Sequence, residues 1–458
     1  MKLNKSLPLV LGLLSGFNCQ ADMLAAHEAA QEKNYTVAAP HFKKSADLGL
    51  AKAQSSISQL YLYGAGVAKD PILSFTYMAL AYDQTKSADL KTKMSAIYHS
   101  LSKNDQQTAL EQYDEYSLKI GKDALVNNIL PAIKTKPFVL RPGKKKEGPS
   151  SVSHSVFSTV KLKLASAILE YDIAPDGSVR DVILAHDFFA TDALKDSMIR
   201  STYSIKFKPK KAKVYKKFNI EQQRSVWAQT EISKGYLQTE SPKFHKRIKM
   251  LEGLAKKGNA NALYELGMYY VAFPALNTNR IKTVAYMEQA AKLGHPKACT
   301  EYAYYLFKGK GVKKDFKLGV EYLTLAAQSG DARAQYRLGR ELFSGQIVER
   351  DHNKASFWFT QAVEGQNENA KFWLARSILS KKNSDKAQIK QAHELLKQVK
   401  DAQYINPNWH YYLAKAYFMQ NNNAKGRELL MDAIKRAEAF EWQVDDWKKQ
   451  LSDLNKAA

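Results

Sequence analysis

Histidine, cysteine and lysine are the residues whose chemistry could declare itself in this chain, and each is arranged differently. The ten histidines are scattered, without the H-E-x-x-H spacing that sets two imidazoles on one helix face for a metal. His186 and Asp187 are sequence neighbours at the end of an expected strand, but an acid–base pair needs a partner within hydrogen-bond reach. No G-x-S-x-G elbow or comparable nucleophile motif accompanies them. Of the two cysteines, Cys19 lies in an N-terminal segment expected to be removed. Cys299 then stands alone, with no internal disulfide and no thiolate metal site. Beside Ala298 on an apolar helix face it is read as a small core residue. No catalytic residue, cofactor or metal is expected, and the chain is read as non-enzymatic.

Lysine is the exception. Lys206, Lys208, Lys210, Lys211, Lys213, Lys216 and Lys217 fall within a stretch that contains no acid, Lys144 to Lys146 precede it, and the formal net charge is +24. Such a run attracts an anionic surface, whether lipid head groups, acidic polysaccharide or an acidic protein. Lysines also guard a strand edge against aggregation, and both readings stand at this point. Nucleic acid is the usual partner of so basic a chain, but the N-terminus argues for export and makes it an unlikely one. Lys2 and Lys5 flank the start of a short apolar run, Leu7 to Phe17, and Cys19-Gln20-Ala21 offers small residues for cleavage before Asp22. Residues 1–21 are therefore read as a signal peptide cleaved after Ala21, and the mature chain as periplasmic. Lipidation at Cys19 is the minor alternative, because Phe17 and Asn18 are not small. No later stretch reaches the ~18 apolar residues of a spanning helix.

The elements that would position these residues are announced by a period. Ala262, Ala298, Ala334 and Ala370 stand 36 residues apart, as do Gly258, Gly294 and Gly330, Gly309 and Gly345, and Asp315 and Asp351. A fixed period of this length predicts stacked helix pairs. Each unit reads as a helix, a glycine turn, an Asp cap and a second helix, with Asp331, Asp315 and Asp351 as N-caps. Small residues such as Ala298, Ala303, Ala334 and Gly339 let helices approach closely. Around Gly309-Lys310-Gly311-Val312-Lys313-Lys314-Asp315 and the ending Ala326-Ala327-Gln328-Ser329-Gly330, the units resemble Sel-one-like repeats of the tetratricopeptide superfamily. Gly64-Ala65-Gly66-Val67-Ala68-Lys69-Asp70 echoes the same loop near the N-terminus. The resemblance implies a solenoid whose groove binds protein partners, with Tyr304, Tyr305 and Trp358 as candidate aromatic anchors.

Between the repeat segments the texture changes. Pro, Gly, Lys and Ser crowd residues 131–155, a linker composition. Ile168 to Ile173, a Pro175-Asp176-Gly177 turn and Val179 to Leu184 predict a hairpin. A helix over Ala190 to Ser204 and a further strand including Phe218, Ile220 and Val226 follow. The run Tyr171 to Val182, the helix and Phe207-Lys208-Pro209 together resemble the C-terminal domain of the TonB energy transducers. Here a cleavable signal replaces the membrane anchor and a solenoid follows the domain, so energy transduction is not implied. What carries over is a strand edge open to a peptide.

The expected fold is mainly α: helical-repeat α-solenoid segments flanking a small α+β TonB-C-like domain. The expected limits are 1–21 signal peptide, 22–130 N-terminal repeats, 131–155 linker, 156–235 α+β domain and 245–458 C-terminal solenoid. The expected function is a periplasmic adaptor or scaffold of the bacterial cell envelope. Its partners would be envelope proteins in the groove, with an anionic component or a peptide strand at the middle domain. A component of a TonB-type transport system, or a cell-wall-associated enzyme or its regulator, is the alternative.

Overall fold

The computed structural model describes residues 22–137, 166–174, 176–188, 192–207, 222–229, 242–273, 276, 280–381 and 383–456. The signal segment, residues 138–155 of the linker, Phe218, Ile220 and six of the seven lysines (Lys208, Lys210, Lys211, Lys213, Lys216 and Lys217) lie outside the described residues.

Seven helices open the described chain: α1 (Asp22–Gln31), α2 (Tyr35–Asp47), α3 (Ala51–Tyr63), α4 (Pro71–Thr85), α5 (Ala88–Ser100), α6 (Lys103–Ile120) and α7 (Lys122–Asn128). The α+β segment follows as β1 (Ser166–Ile173), β2 (Val179–Phe188), α8 (Asp192–Tyr203) and β3 (Gln222–Gln229). Then α9 (Pro242–Lys256) leads into helix pairs α10 (Ala260–Ala272) with α11 (Arg280–Lys292), α12 (Pro296–Lys308) with α13 (Phe316–Gln328), and α14 (Ala332–Ser344) with α15 (His352–Glu364). Next come α16 (Glu368–Ser380) with α17 (Lys386–Gln398), and the short α18 (Lys400–Gln403). The chain closes with α19 (Pro407–Met419), α20 (Asn423–Ala439) and α21 (Asp445–Lys456).

The 36-residue period is visible as helix starts at 260, 296, 332 and 368. One position before each start, Asn259, His295, Asp331 and Asn367 accept a hydrogen bond from the backbone N–H three residues on. Each satisfies a donor that the first helical turn leaves without a partner. Asp315 and Asp351 cap the second helices as expected. Gly309 and Gly345 end the first helices at φ 64, in the left-handed region. The alanine ladder is core: Ala262, Ala298, Ala334 and Ala370 are all buried. Gly339 shows why small residues are needed, since a Cβ there would meet the Phe359 ring at 2.7 Å.

The two repeat segments pack on each other. Met23 donates its backbone N–H to Ser329 O at 3.0 Å, and Gln328 Nε2 donates to Leu48 O at 2.8 Å. The stretch after α7 lies along α15 and the turn before it: Ile133 bridges Val348, and Glu349 N–H donates to Ala132 O at 2.8 Å. Leu48, Leu125 and Ile129 enter the main core of the C-terminal repeats.

The sheet is antiparallel, in the order β2-β1-β3. The expected strand–strand–helix–strand order is present, and β2 runs on to Phe188, beyond its expected end at Leu184. Alternation along β1 divides its side chains in two. Leu169, Tyr171 and Ile173 join Met198, Tyr203 and Phe207 in a core shared with Leu430, Ala437 and Trp442 of the C-terminal helices. Ile168, Glu170 and Asp172 turn the other way, toward the repeats.

Candidate functional site

The face formed by the first helices of successive repeats is where a solenoid would receive a partner. Here much of it is occupied by the chain's own sheet, through buried charge pairs. Arg340 on α14 reaches Asp172 with Nη2 at 2.6 and 2.7 Å from the two carboxylate oxygens, and its guanidinium lies 3.5 Å from the Trp373 ring centroid. Arg337 and Arg333, earlier on the same helix, both bond Glu170 Oε1. Arg376 on α16 donates from Nη1 to Asp181 Oδ2 at 2.8 Å, and Asn406 and Asn408 donate to Asp181 Oδ1 at 3.0 and 2.9 Å. The spacing of Arg333, Arg337 and Arg340 keeps them on one helical face. Glu170 and Asp172, two apart on a strand, share one sheet face.

Two irregularities in the β1–β2 pairing aim the remaining groups. Register shifts fall between Ile168 and Leu169 and between Glu170 and Asp172. Asp181, at the second, has φ 50, a conformation uncommon for a side-chain-bearing residue. Ala185 is the extra residue at the first shift, and beyond it His186 turns to the repeats. His186 Nε2 lies 3.3 Å from Glu301 Oε1 and accepts from Arg333.

Burial opposes the charge on Glu170, but Arg337 and Arg333 outweigh it and hold the carboxyl at about 2. Burial likewise works against the Asp181 carboxylate, and Arg376 with Asn408 and Asn406 holds its pKa below the ordinary value. His186 is driven well below the usual imidazole value by burial and then by Arg333, Arg337 and Lys297. It is therefore neutral, which suits it to accept from Arg333.

A cleft of about 470 Å³ opens where β2 passes the rim of these helices. Leu184 to Asp187 form one wall, and Tyr264, Thr300, Arg333, Asn367 and Asn369 are among the residues of the other. The cleft brings His186 and Asp187 together with a hydroxyl, as an enzyme reading would require. The Thr300 hydroxyl is committed elsewhere: its Oγ1 bonds Pro296 O at 3.2 Å and Asp331 Oδ1 at 3.0 Å. Asp187 pairs with Lys195 at 2.6 Å, and His186 with Glu301 and Arg333. The arrangement ties strand to solenoid. Among the described residues no group of three or more His, Cys, Asp or Glu is placed to hold a metal, and no helix is long and apolar enough to cross a membrane.

The expected anchors need correction. Trp358 is fully buried, and its Nε1 donates to Ile129 O at 2.8 Å, so the N-terminal segment holds the ring. Tyr305 is 7% exposed and belongs to the core. Tyr304 is half-buried, with Lys308, Lys310 and Arg337 5.9, 5.8 and 5.6 Å from its ring centroid. Lys206 donates to Phe440 O and lies 3.5 Å from Glu441, a use within the chain. Residue type alone does not single out the arginines of α14 and α16, because arginine on a helix is ordinarily a solvated residue. Their signal was spacing alone: Arg340 and Arg376 stand 36 residues apart, in step with the ladder.

Residues 51–86, 260–295, 296–331 and 332–367 match the Sel1 repeat family. The last three are contiguous and share the period of the alanines. No curated protein sequence matches the chain significantly. Among solved structures, a Sel1 repeat protein from Oxalobacter formigenes is 15% identical, with a TM-score of 0.31, over 90% of this chain and 97% of that one. A protective antigen of uropathogenic Escherichia coli displaying an SLR fold is 17% identical, with a TM-score of 0.35, over 96% and 83%. Yeast Tom70 is 11% identical, with a TM-score of 0.27, over 95% and 94%. The chain is a mainly helical repeat protein, with segments that match the Sel1 repeat on both sides of a small α+β segment.

Proposed function

We propose that this protein is an exported, non-enzymatic scaffold of the bacterial cell envelope that assembles protein partners. The observation that carries the reading is the repeat array itself: four Sel1 matches in helix pairs that stack into an extended surface. Export rests on the N-terminal sequence, and the envelope on export. The α+β segment, packed on the repeats through Glu170, Asp172 and Asp181, serves in this reading as a fixed part of the binding surface. The lysine run after Phe207 would draw the scaffold toward an anionic component.

The test is crosslinking in intact cells, followed by affinity purification of the full chain from the envelope fraction at low and high salt. Discrete partners that survive high salt support the scaffold, and those released by salt map to the lysines. Recovery of the bait alone, or of the chain in the cytosolic fraction, counts against the reading.

A further inference from the structure

The cleft beside β2 is lined by four carboxylates, Asp187, Glu301, Asp331 and Glu368, against two cations, Lys297 and Arg333. Three of the four have a cation beside them: Asp187 has Lys195, Glu301 has Arg333 and Glu368 has Lys371. Asp331 forms no ion pair among the described residues, although it is only 3% exposed. Its capping role does not require a charge, since Asn259, His295 and Asn367 do the same work at the equivalent positions. A buried carboxylate without a counter-charge is costly, so a cation arriving from outside would relieve it.

Three oxygens of the cleft are left without a donor. Asp331 takes both of its hydrogen bonds on Oδ1, from Ala334 N–H at 2.7 Å and Thr300 Oγ1 at 3.0 Å, and Oδ2 receives none from a described residue. Glu301 is 8% exposed, and His186 and Arg333 both meet its Oε1, which leaves Oε2 unused among the described residues. The Tyr264 hydroxyl, on a residue 7% exposed, has no hydrogen-bond partner among the described residues. None of the three is sealed from solvent, so each opens into the cleft that its residue lines. The Tyr264 ring stacks on His295 with 4.6 Å between centroids, which fixes the hydroxyl before anything binds. Burial first, and then Glu301, hold the Tyr264 phenol above its ordinary value, with Arg333 opposing and Asp331 adding. Both carboxylates therefore act on that hydroxyl.

Three acceptors, two of them carboxylate oxygens, match the three N–H donors and single charge of a primary ammonium group. A metal ion is the poorer match, because among the described residues no three His, Cys, Asp or Glu are placed together to hold one. Leu184 and Ala185 give the cleft an apolar side, and its volume of about 470 Å³ is that of a small-molecule site. The net positive charge of the chain does not decide the matter. Distant charges are screened over about 8–10 Å, whereas Asp331 acts at contact.

We infer that this cleft is a binding site for a small molecule carrying a primary ammonium group, which is received by Asp331, Glu301 and Tyr264. The site goes beyond the scaffold reading and does not depend on it.

The full chain is titrated calorimetrically with three primary amines of different origin: 1,4-diaminobutane, glucosamine and L-norleucine. Each is paired with a counterpart that lacks the ammonium: 1,4-butanediol, N-acetylglucosamine and hexanoate. Binding of at least one amine, about tenfold or more tighter than its counterpart, supports the site and tells diamine, amino sugar and amino acid apart. This comparison needs no altered protein. Asp331→Asn keeps the cap and removes the charge, and Tyr264→Phe keeps the stacked ring and removes the hydroxyl. Each should weaken the amine by about tenfold, while Tyr63→Ser, a control on α3 at a 76% exposed position, should not. No binding of any amine, equal binding of amine and counterpart, or amine binding indifferent to both D331N and Y264F overturns the inference.

Discussion

At the scale of single residues, the Arg340–Asp172 pair is the sharpest case. Both groups are buried, so removing one leaves the other charged without its partner. Arg340→Ala or Asp172→Asn should each cost about 3–5 kcal/mol in urea unfolding, while an apolar pair at both positions should recover most of the loss. Equal costs for single and double variants would contradict this account. The histidines set the pH dependence. His186 and His295 are both lowered by burial, His295 to about 4, so the unfolded chain takes up protons that the native state refuses. Stability should therefore be at its full value above the ordinary imidazole value of 6.5 and fall as pH drops below it. The Glu170 carboxylate adds a second loss as pH falls from 4.5 toward 2. His295→Asn keeps an N-cap of the type used at Asn259 and Asn367, but does not titrate. Urea unfolding between pH 7 and 4 should show a shallower decline for this variant, and an unchanged slope would refute the assignment.

At the scale of the element, the turns separate two kinds of glycine. Gly66 has φ 71, and a Cβ there would lie 2.2 Å from the Tyr35 carbonyl carbon. Gly294 has φ 84 with nothing within 4 Å of a notional Cβ. Gly66→Ala should destabilise by about 1–3 kcal/mol or more, because neither backbone can yield easily. Gly294→Asn should cost a few tenths to about 1 kcal/mol, since asparagine tolerates the left-handed region. Thermal or urea unfolding of the pair checks the ranking. Helix limits, caps and turns were largely legible in advance, because each depends on residues within a few positions of one another. Asp315, Asp331 and Asp351 cap where the 36-residue spacing put them. The role of Trp358 was not legible. An aromatic ring at a helical position looks the same whether it meets a partner or Ile129, and only the path of the N-terminal segment distinguishes the two.

At the scale of the whole molecule, the three segments share cores. Leu48 and Leu125 from the N-terminal helices and Ile168 and Ile183 from the sheet enter the same cluster as the C-terminal repeats. The other sheet face is completed by Leu430, Trp442 and Val444. Repeat arrays ordinarily unfold by nearest-neighbour steps, but cross-links of this kind bind distant repeats together. Calorimetry of the full chain should show one dominant transition, and cutting out residues 156–235 should lower its temperature and broaden it. Well-separated transitions in the intact chain, or a deletion without effect, would show that the segments are independent.

The sequence by itself determined the repeat. A helix pair is a local object, and its period survives in alanines, glycines and capping residues whose roles are set by neighbours a few positions away. It also announced the hairpin and the strand–strand–helix–strand succession of the middle segment, for the same reason. Only the tertiary structure decided what fills the solenoid face. Glu170 and Arg337 are 167 residues apart, Asp172 and Arg340 168, and Asp181 and Arg376 195. Nothing periodic links a strand carboxylate to a helix arginine across such distances. Those pairs exist because two separately legible pieces meet, and that meeting leaves open the cleft beside β2.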